Sequence, residues 1–190
     1  NPNIATSKGS LNYRNTIKIN YATFDCPHPD IIVNEIQTTS ARITAVGTGN
    51  YQIEYAPTGS QDYITVGTTA GSYILSGLHP YANYNLRVRT ICEEDVSAWK
   101  YVPFRTAVPH YDHIHVAPQS TGLADGSTWS NATSDLNWAI TVAANNAENR
   151  PDIWLKEGTY TDPNTYTLLD GVALYGGFEG NEPTDYDLSQ

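Results

Sequence analysis

Between Ile31 and Arg105 the chain holds no helical period: apolar and aromatic residues alternate with polar ones in short runs, and turn residues interrupt them every eight to twelve positions. Side chains switch face at each step of a strand, so this alternation buries one face and leaves the other wet. The pattern predicts strands at 31–37, 41–46, 51–56, 63–67, 73–75, 84–92 and 99–105. The bends fall at Gly47-Thr48-Gly49-Asn50, Pro57-Thr58-Gly59-Ser60 and Gly77-Leu78-His79-Pro80. Short strands with no crossover helices between them imply two antiparallel sheets packed face to face. Upstream, 1–15 reads as a polar tether, and 16–24 alternates well enough to predict a strand, with pairing on the sandwich edge and the end of a preceding domain as the alternatives.

The pattern changes near residue 110. Residues 108–111 read as a linker and 113–116 as a short strand, followed by a turn-rich stretch at 122–131. A helix is predicted over 135–146, with Ser134 as its N-cap and Leu136, Ala139, Ile140, Ala143 and Ala144 as its apolar stripe. Residues 152–160 read as strand and turn, and two further strands are predicted at 166–169 and 172–175, joined by Asp170-Gly171. Charge breaks at the same place. In residues 1–107 eight basic side chains cancel eight acidic ones, whereas residues 108–190 carry two basic against twelve acidic, so the net charge of −10 lies in the second part. Two units follow, 26–107 and 108–190, with 1–25 as a tether or strand before them. An acidic surface without a basic stripe excludes a nucleic-acid partner, and no run of apolar residues is long enough to span a membrane.

The first unit resembles the fibronectin type III family. Ser40-Ala41-Arg42-Ile43-Thr44 is similar to its second strand, Tyr51-Gln52-Ile53-Glu54-Tyr55 to its third, and the stretch from Leu78-His79-Pro80 through Tyr84 to Val88-Arg89 to its L-x-P-x-x-x-Y-x-x-x-V-R segment. The resemblance implies that Tyr84 is a tyrosine corner, its hydroxyl returning to nearby backbone while the ring caps the core. Ala45 stands where the family usually places a tryptophan, so Trp99 or the tyrosines are expected to fill that volume. Secreted bacterial members often open on Cys-Pro and carry a second cysteine late in the sixth strand, as Cys26-Pro27 and Cys92 do here. The resemblance therefore implies a disulfide, with two buried thiols as the alternative.

The second unit resembles the N-terminal start of pectate lyase-like, right-handed parallel β-helix proteins of bacterial surfaces. The match rests on the stretch from Asp125-Gly126-Ser127-Thr128-Trp129 to Thr133, the helix, Ile153-Trp154-Leu155-Lys156-Glu157-Gly158-Thr159-Tyr160, and Asp170-Gly171 through Phe178-Glu179-Gly180. A solenoid needs several stacked coils to bury its faces, so the 190 residues are expected to be the opening of a longer molecule. A mainly β chain of this kind is expected to be exported, mature, and secreted or displayed at the cell surface.

Chemistry has few candidate sites. His113 and His115 share a strand face and, with His110 or Asp112, have the ligand types for a metal; the plainer alternative is a polar linker entering a strand. Glu179, Glu182, Asp185 and Asp187 crowd one loop with the oxygen ligands that calcium takes, although no EF-hand spacing is present and a solvated acidic loop is the alternative. No other cofactor is implied. Asp162 and Asp170 supply carboxylates, and Arg150 and Lys156 supply bases, but no nucleophile elbow or phosphate loop accompanies them. The aromatic surplus is larger: Tyr13, Tyr21, Tyr51, Tyr55, Tyr63, Tyr73, Tyr81, Tyr101, Tyr111 and Trp129 either build the sandwich or expose a face that stacks on sugars or partner proteins. The expected role is a non-catalytic spacer or adhesion module, with further domains of the same chain and glycans or surface proteins as partners. The alternative is part of a polysaccharide lyase or glycoside hydrolase whose active site lies on coils beyond this chain.

Overall fold

A computed structural model describes residues 26–188 apart from positions 48, 70, 94 and 184. The predicted strand at 16–24, together with Tyr13 and Tyr21, lies outside the described residues. Seven strands come first: β1 (Asp30–Asn34), β2 (Ser40–Val46), β3 (Asn50–Pro57), β4 (Ile64–Thr69), β5 (Ser72–Ser76), β6 (Asn83–Ile91) and β7 (Lys100–Arg105). They form two antiparallel sheets ordered β1-β2-β5 and β4-β3-β6-β7. Strand β6 shows the cause most plainly. Tyr84, Leu86, Val88 and Thr90 point inward, while Asn83, Asn85, Arg87 and Arg89 point out. The inward set meets Tyr51, Ile53, Phe104 and, from the facing sheet, Ala41, Ile43, Ala45 and Leu75 in one core. The core aromatics are thus Tyr51, Tyr84 and Phe104. Trp99 lies outside, under the guanidinium groups of Arg87 and Arg89 at 4.5 and 4.4 Å.

The remainder is a three-stranded parallel sheet of β8 (His113–Val116), β9 (Asp152–Lys156) and β10 (Leu174–Phe178), ordered β10-β9-β8. Helix α1 (Leu136–Asn145) connects the first two strands. Ile114 and Val116 face Leu136, Ala139, Ile140 and Ala143 of α1, and Ile153 joins them; of the predicted stripe Ala144 is only half-buried, while Val142, outside it, is fully buried in the same core. The N-cap is Asp135 rather than Ser134: its carboxylate accepts from the Trp138 N–H at 2.8 Å, while the Ser134 hydroxyl is engaged with Ser120 at 2.9 Å. The predicted strand at 166–169 does not form. It finds no pairing partner, and the chain reaches the sheet only at Leu174.

The expected linker is also not a free hinge. Val108 and Tyr111 pack on the second core, and the Asn146 and Asn149 side-chain amides donate to the carbonyls of Pro109 and Tyr111, each at 2.9 Å. The sandwich loop at 79–81 docks as well. The Trp138 indole N–H donates to the Pro80 carbonyl at 3.0 Å, the His79 Nε2 lies 2.9 Å from the Ala124 carbonyl, and the two rings meet edge to face at 5.0 Å. Tyr81 (φ 49°) and Ala124 (φ 54°) hold left-handed backbone on either side of this contact, a conformation that costs non-glycine residues about 1 kcal/mol or more.

Candidate functional site

The hydroxyl of Tyr84 accepts from the His79 N–H at 2.8 Å, and the Thr106 hydroxyl donates to the His79 carbonyl at 2.7 Å. Burial raises the Tyr84 pKa, only partly offset by this hydrogen bond. The ring stacks on Phe104 at 5.5 Å, so one side chain closes the core and fixes the loop that docks on the second unit. Tyr84→Phe keeps the ring and strands the His79 N–H. We expect a loss of about 1–2 kcal/mol, seen as a lower urea midpoint at unchanged slope.

Cys26 and Cys92 form a disulfide across a sequence separation of 66. On the outer face of the four-stranded sheet, Arg87 makes an ion pair to Glu54 at 2.6 Å and lies over the Tyr63 ring at 3.8 Å. Arg89 donates to Gln52 at 2.8 Å, and Gln52 and Thr65 donate to Glu54 at 2.8 and 3.0 Å. Burial would raise the Glu54 pKa, but these donors and the Arg87 charge outweigh it and lower the value. The face is closed by its own partners. Tyr51 is core, Tyr55 packs against Tyr84, Tyr73 lies against the core, Tyr81 and Tyr111 join the second core, and Trp129 meets the His115 ring. Of the ten tyrosines and tryptophans singled out from sequence, Tyr101, at 56% exposure, is the large exposed aromatic among those described.

His113 and His115 do share a face, and with His110 and Asp112 they rim a cavity of about 230 Å³. His113 stacks on Trp154 at 3.9 Å. His115 is buried, with Nδ1 3.2 Å from the Gly126 carbonyl. Among the described residues no three His, Cys, Asp or Glu side chains converge to hold a metal ion. In the acidic loop, the Glu182 carboxylate accepts from the backbone N–H groups of Glu179, Gly180 and Asn181 at 2.6 to 3.1 Å. Burial acts to raise its pKa, and those bonds lower it on balance. Glu182 is thus a loop staple, with Glu179, Asp185 and Asp187 exposed around it. Asp162 accepts from Asn164 and Asn137, Arg150 lies against Gly171 and Lys156 against Gly180. These groups hold turns.

Burial lowers the His115 pKa below 6.5, outweighing the Gly126 carbonyl; the His113 ring lowers it further. The folded form therefore favours the neutral ring. This contribution is full above about pH 6.5 and is lost as pH falls toward the folded value. Glu54 and Glu182 act in a separate window, below about pH 4.5. Melting curves between pH 7 and pH 5 are expected to fall more steeply for the natural chain than for His115→Asn; equal slopes would remove His115 as the cause.

Two sheets with a tyrosine corner define a β-sandwich of the immunoglobulin-like kind. Residues 27–102 match the family model described as Fibronectin type III domain, and this part of the chain is such a domain. No curated protein matches the chain. Among solved structures, the chain is similar to a computer-redesigned β-sandwich protein at 23% identity and TM-score 0.38, covering 43% of this chain and 94% of that one. It is also similar to the fn3 domain of human collagen alpha-1(XX), at 18% identity and TM-score 0.40, covering 44% and 88%. Domains from titin match at 21% identity and TM-score 0.38, covering 44% and 33%.

Proposed function

We propose that the chain is a non-catalytic part of an exported, multidomain bacterial surface protein. In this reading, the fibronectin type III domain serves as spacer or adhesion module, mounted on the first courses of a right-handed parallel β-helix. A domain of this type is commonly a spacer or binding module, and with a disulfide it fits an extracellular protein. Among the described residues no helix is long and apolar enough to cross a membrane.

The observation that carries the proposal is the parallel ladder. Three sequential strands lie side by side, with Ile114, Ile153 and Leu174 aligned across it. Strands β9 and β10 are joined without a helix, which is the repeat of a solenoid course. A second module held by Trp138, His79 and Asn146 contributes reach at a fixed angle. In this reading β10 is paired in the parent by a further strand. Hydrogen exchange should show the β10 amides that point away from β9 fast in the 190-residue chain and protected in the parent. Equal protection in both would argue against the β-helix, and sugar release from polysaccharides by the purified chain would argue against a non-catalytic role. A glycan array tests the adhesion reading: binding supports recognition of sugars, and silence leaves the spacer.

A further inference from the structure

Where the sandwich meets the second unit, a cavity of about 300 Å³ opens between the loop carrying Leu78, His79 and Pro80 and the loop carrying Leu123 and Asp125, with Tyr84 at its side. Its walls are mainly apolar. Thr39 and His79 add polar groups, and Asp125 is the one carboxylate of the lining, only 9% exposed. A charge that deep is ordinarily paired with a cation. Among the described residues the ion pairs are Arg42 with Glu35 and Arg87 with Glu54, and neither reaches it. One oxygen, Oδ1, accepts from the Ser127 N–H at 3.0 Å and the Ser127 hydroxyl at 2.6 Å. The other makes no hydrogen bond to the described residues.

We propose that this junction cavity binds a primary alkylammonium group, of the kind that ends a lysine side chain. The apolar walls take the methylene stem and Asp125 Oδ2 takes the charged head. A guanidinium is the poorer match, because its fork needs two acceptor oxygens and Oδ1 is already engaged. A metal ion is poorer still, since one carboxylate supplies a single ligand where several are required. The surplus of ten acidic charges in residues 108–190 draws cations toward the rim. The inference stands whether or not the parallel sheet continues into a solenoid.

The test is titration of the 190-residue chain with n-butylammonium, followed by amide NMR. Shifts are expected at Gly77–Leu78, His79 and 123–126, with a dissociation constant of about millimolar for so small a probe. n-Butanol has the same stem without the charge and should leave these amides unmoved at equal concentration. Asp125→Asn retains an oxygen for Ser127, so its turn persists, and binding should weaken about tenfold or more. Leu123 is 73% exposed, so Leu123→Ala leaves the fold intact. It should weaken the butyl probe severalfold and ammonium ion itself little. Cadaverine and N-acetyl-lysine N-methylamide then separate free diamines from peptide lysine as the source; binding of either supports the site. Equal shifts from butanol and butylammonium, or undiminished binding by Asp125→Asn, would overturn the assignment.

Discussion

Replacing Trp154 with alanine is expected to lower stability by about 3–5 kcal/mol, near the upper end for a single side chain. Trp154 is fully buried on β9. Its ring is held between His113 at 3.9 Å and Phe178 at 4.8 Å, with His115 edge-on at 5.7 Å. These rings cover the sheet face opposite α1, so both faces of the parallel sheet are packed. Phe178 gets there through a break in register at Gly177, which sets it opposite Lys156. Alanine would leave a void that three rigid rings cannot collapse to fill. Trp154→Phe gives a sharper comparison. The buried Trp154 indole N–H has no hydrogen-bond partner among the described residues, so phenylalanine gives up volume but also removes a donor that they leave unsatisfied. It should cost about 1–2 kcal/mol. Chemical denaturation followed by near-ultraviolet circular dichroism reads both variants. Equal losses for Ala and Phe would mean that the packed volume is not what Trp154 contributes.

What could be read in the sequence was what local chemistry decides. Strand β6 was legible because Tyr84, Leu86 and Val88 alternate with Arg87 and Arg89, and the same pattern fixed which of them enter the core. Residues 166–169 have strand-forming composition too, yet composition supplies no partner strand; Leu168 is left 59% exposed. Local sequence does not separate the two N-cap candidates, since Ser134 and Asp135 both suit the role, and Ser120, fourteen residues upstream of Ser134, decides between them. The segment at 108–111 looks like a linker for its proline and polar residues, but Val108 and Tyr111 find a core that depends on how two units meet. The site residues divide in the same way. Tyr84 sits in a local motif and was visible. Strand alternation puts His113 and His115 on one face, but the ring that both meet there, Trp154, is thirty-nine positions beyond His115. Asp125 carries no such local signal, because Asp followed by Gly and Ser has the composition of a turn. It is one, and the turn uses a single carboxylate oxygen.

Removing the Cys26–Cys92 disulfide should cost about 4 kcal/mol, the loop-closure entropy returned to the unfolded chain when a link across some 66 positions is cut. The native contacts nearby do not depend on the bond. The Thr90 hydroxyl donates to the Pro27 carbonyl at 2.7 Å and keeps the segment before β1 against the end of β6. The paired Cys26→Ser, Cys92→Ser variant should therefore fold, and scanning calorimetry should show the loss chiefly as a lower melting temperature. The size of that shift carries a second result. A sandwich that melts alone, at roughly 80 residues, would fall by about 15–30 °C, whereas a sandwich melting together with the parallel sheet would fall by only about 8–16 °C. The contacts of Trp138 with Pro80 and of His79 with Ala124 favour the joint transition, and so the smaller shift. Trp138→Phe in the disulfide-free background, which removes the indole donor, should move the sandwich toward melting on its own. A natural chain and a serine variant that melt at the same temperature would show that the unfolded ensemble is already compact near these cysteines, and that the bond guards against something other than thermal unfolding.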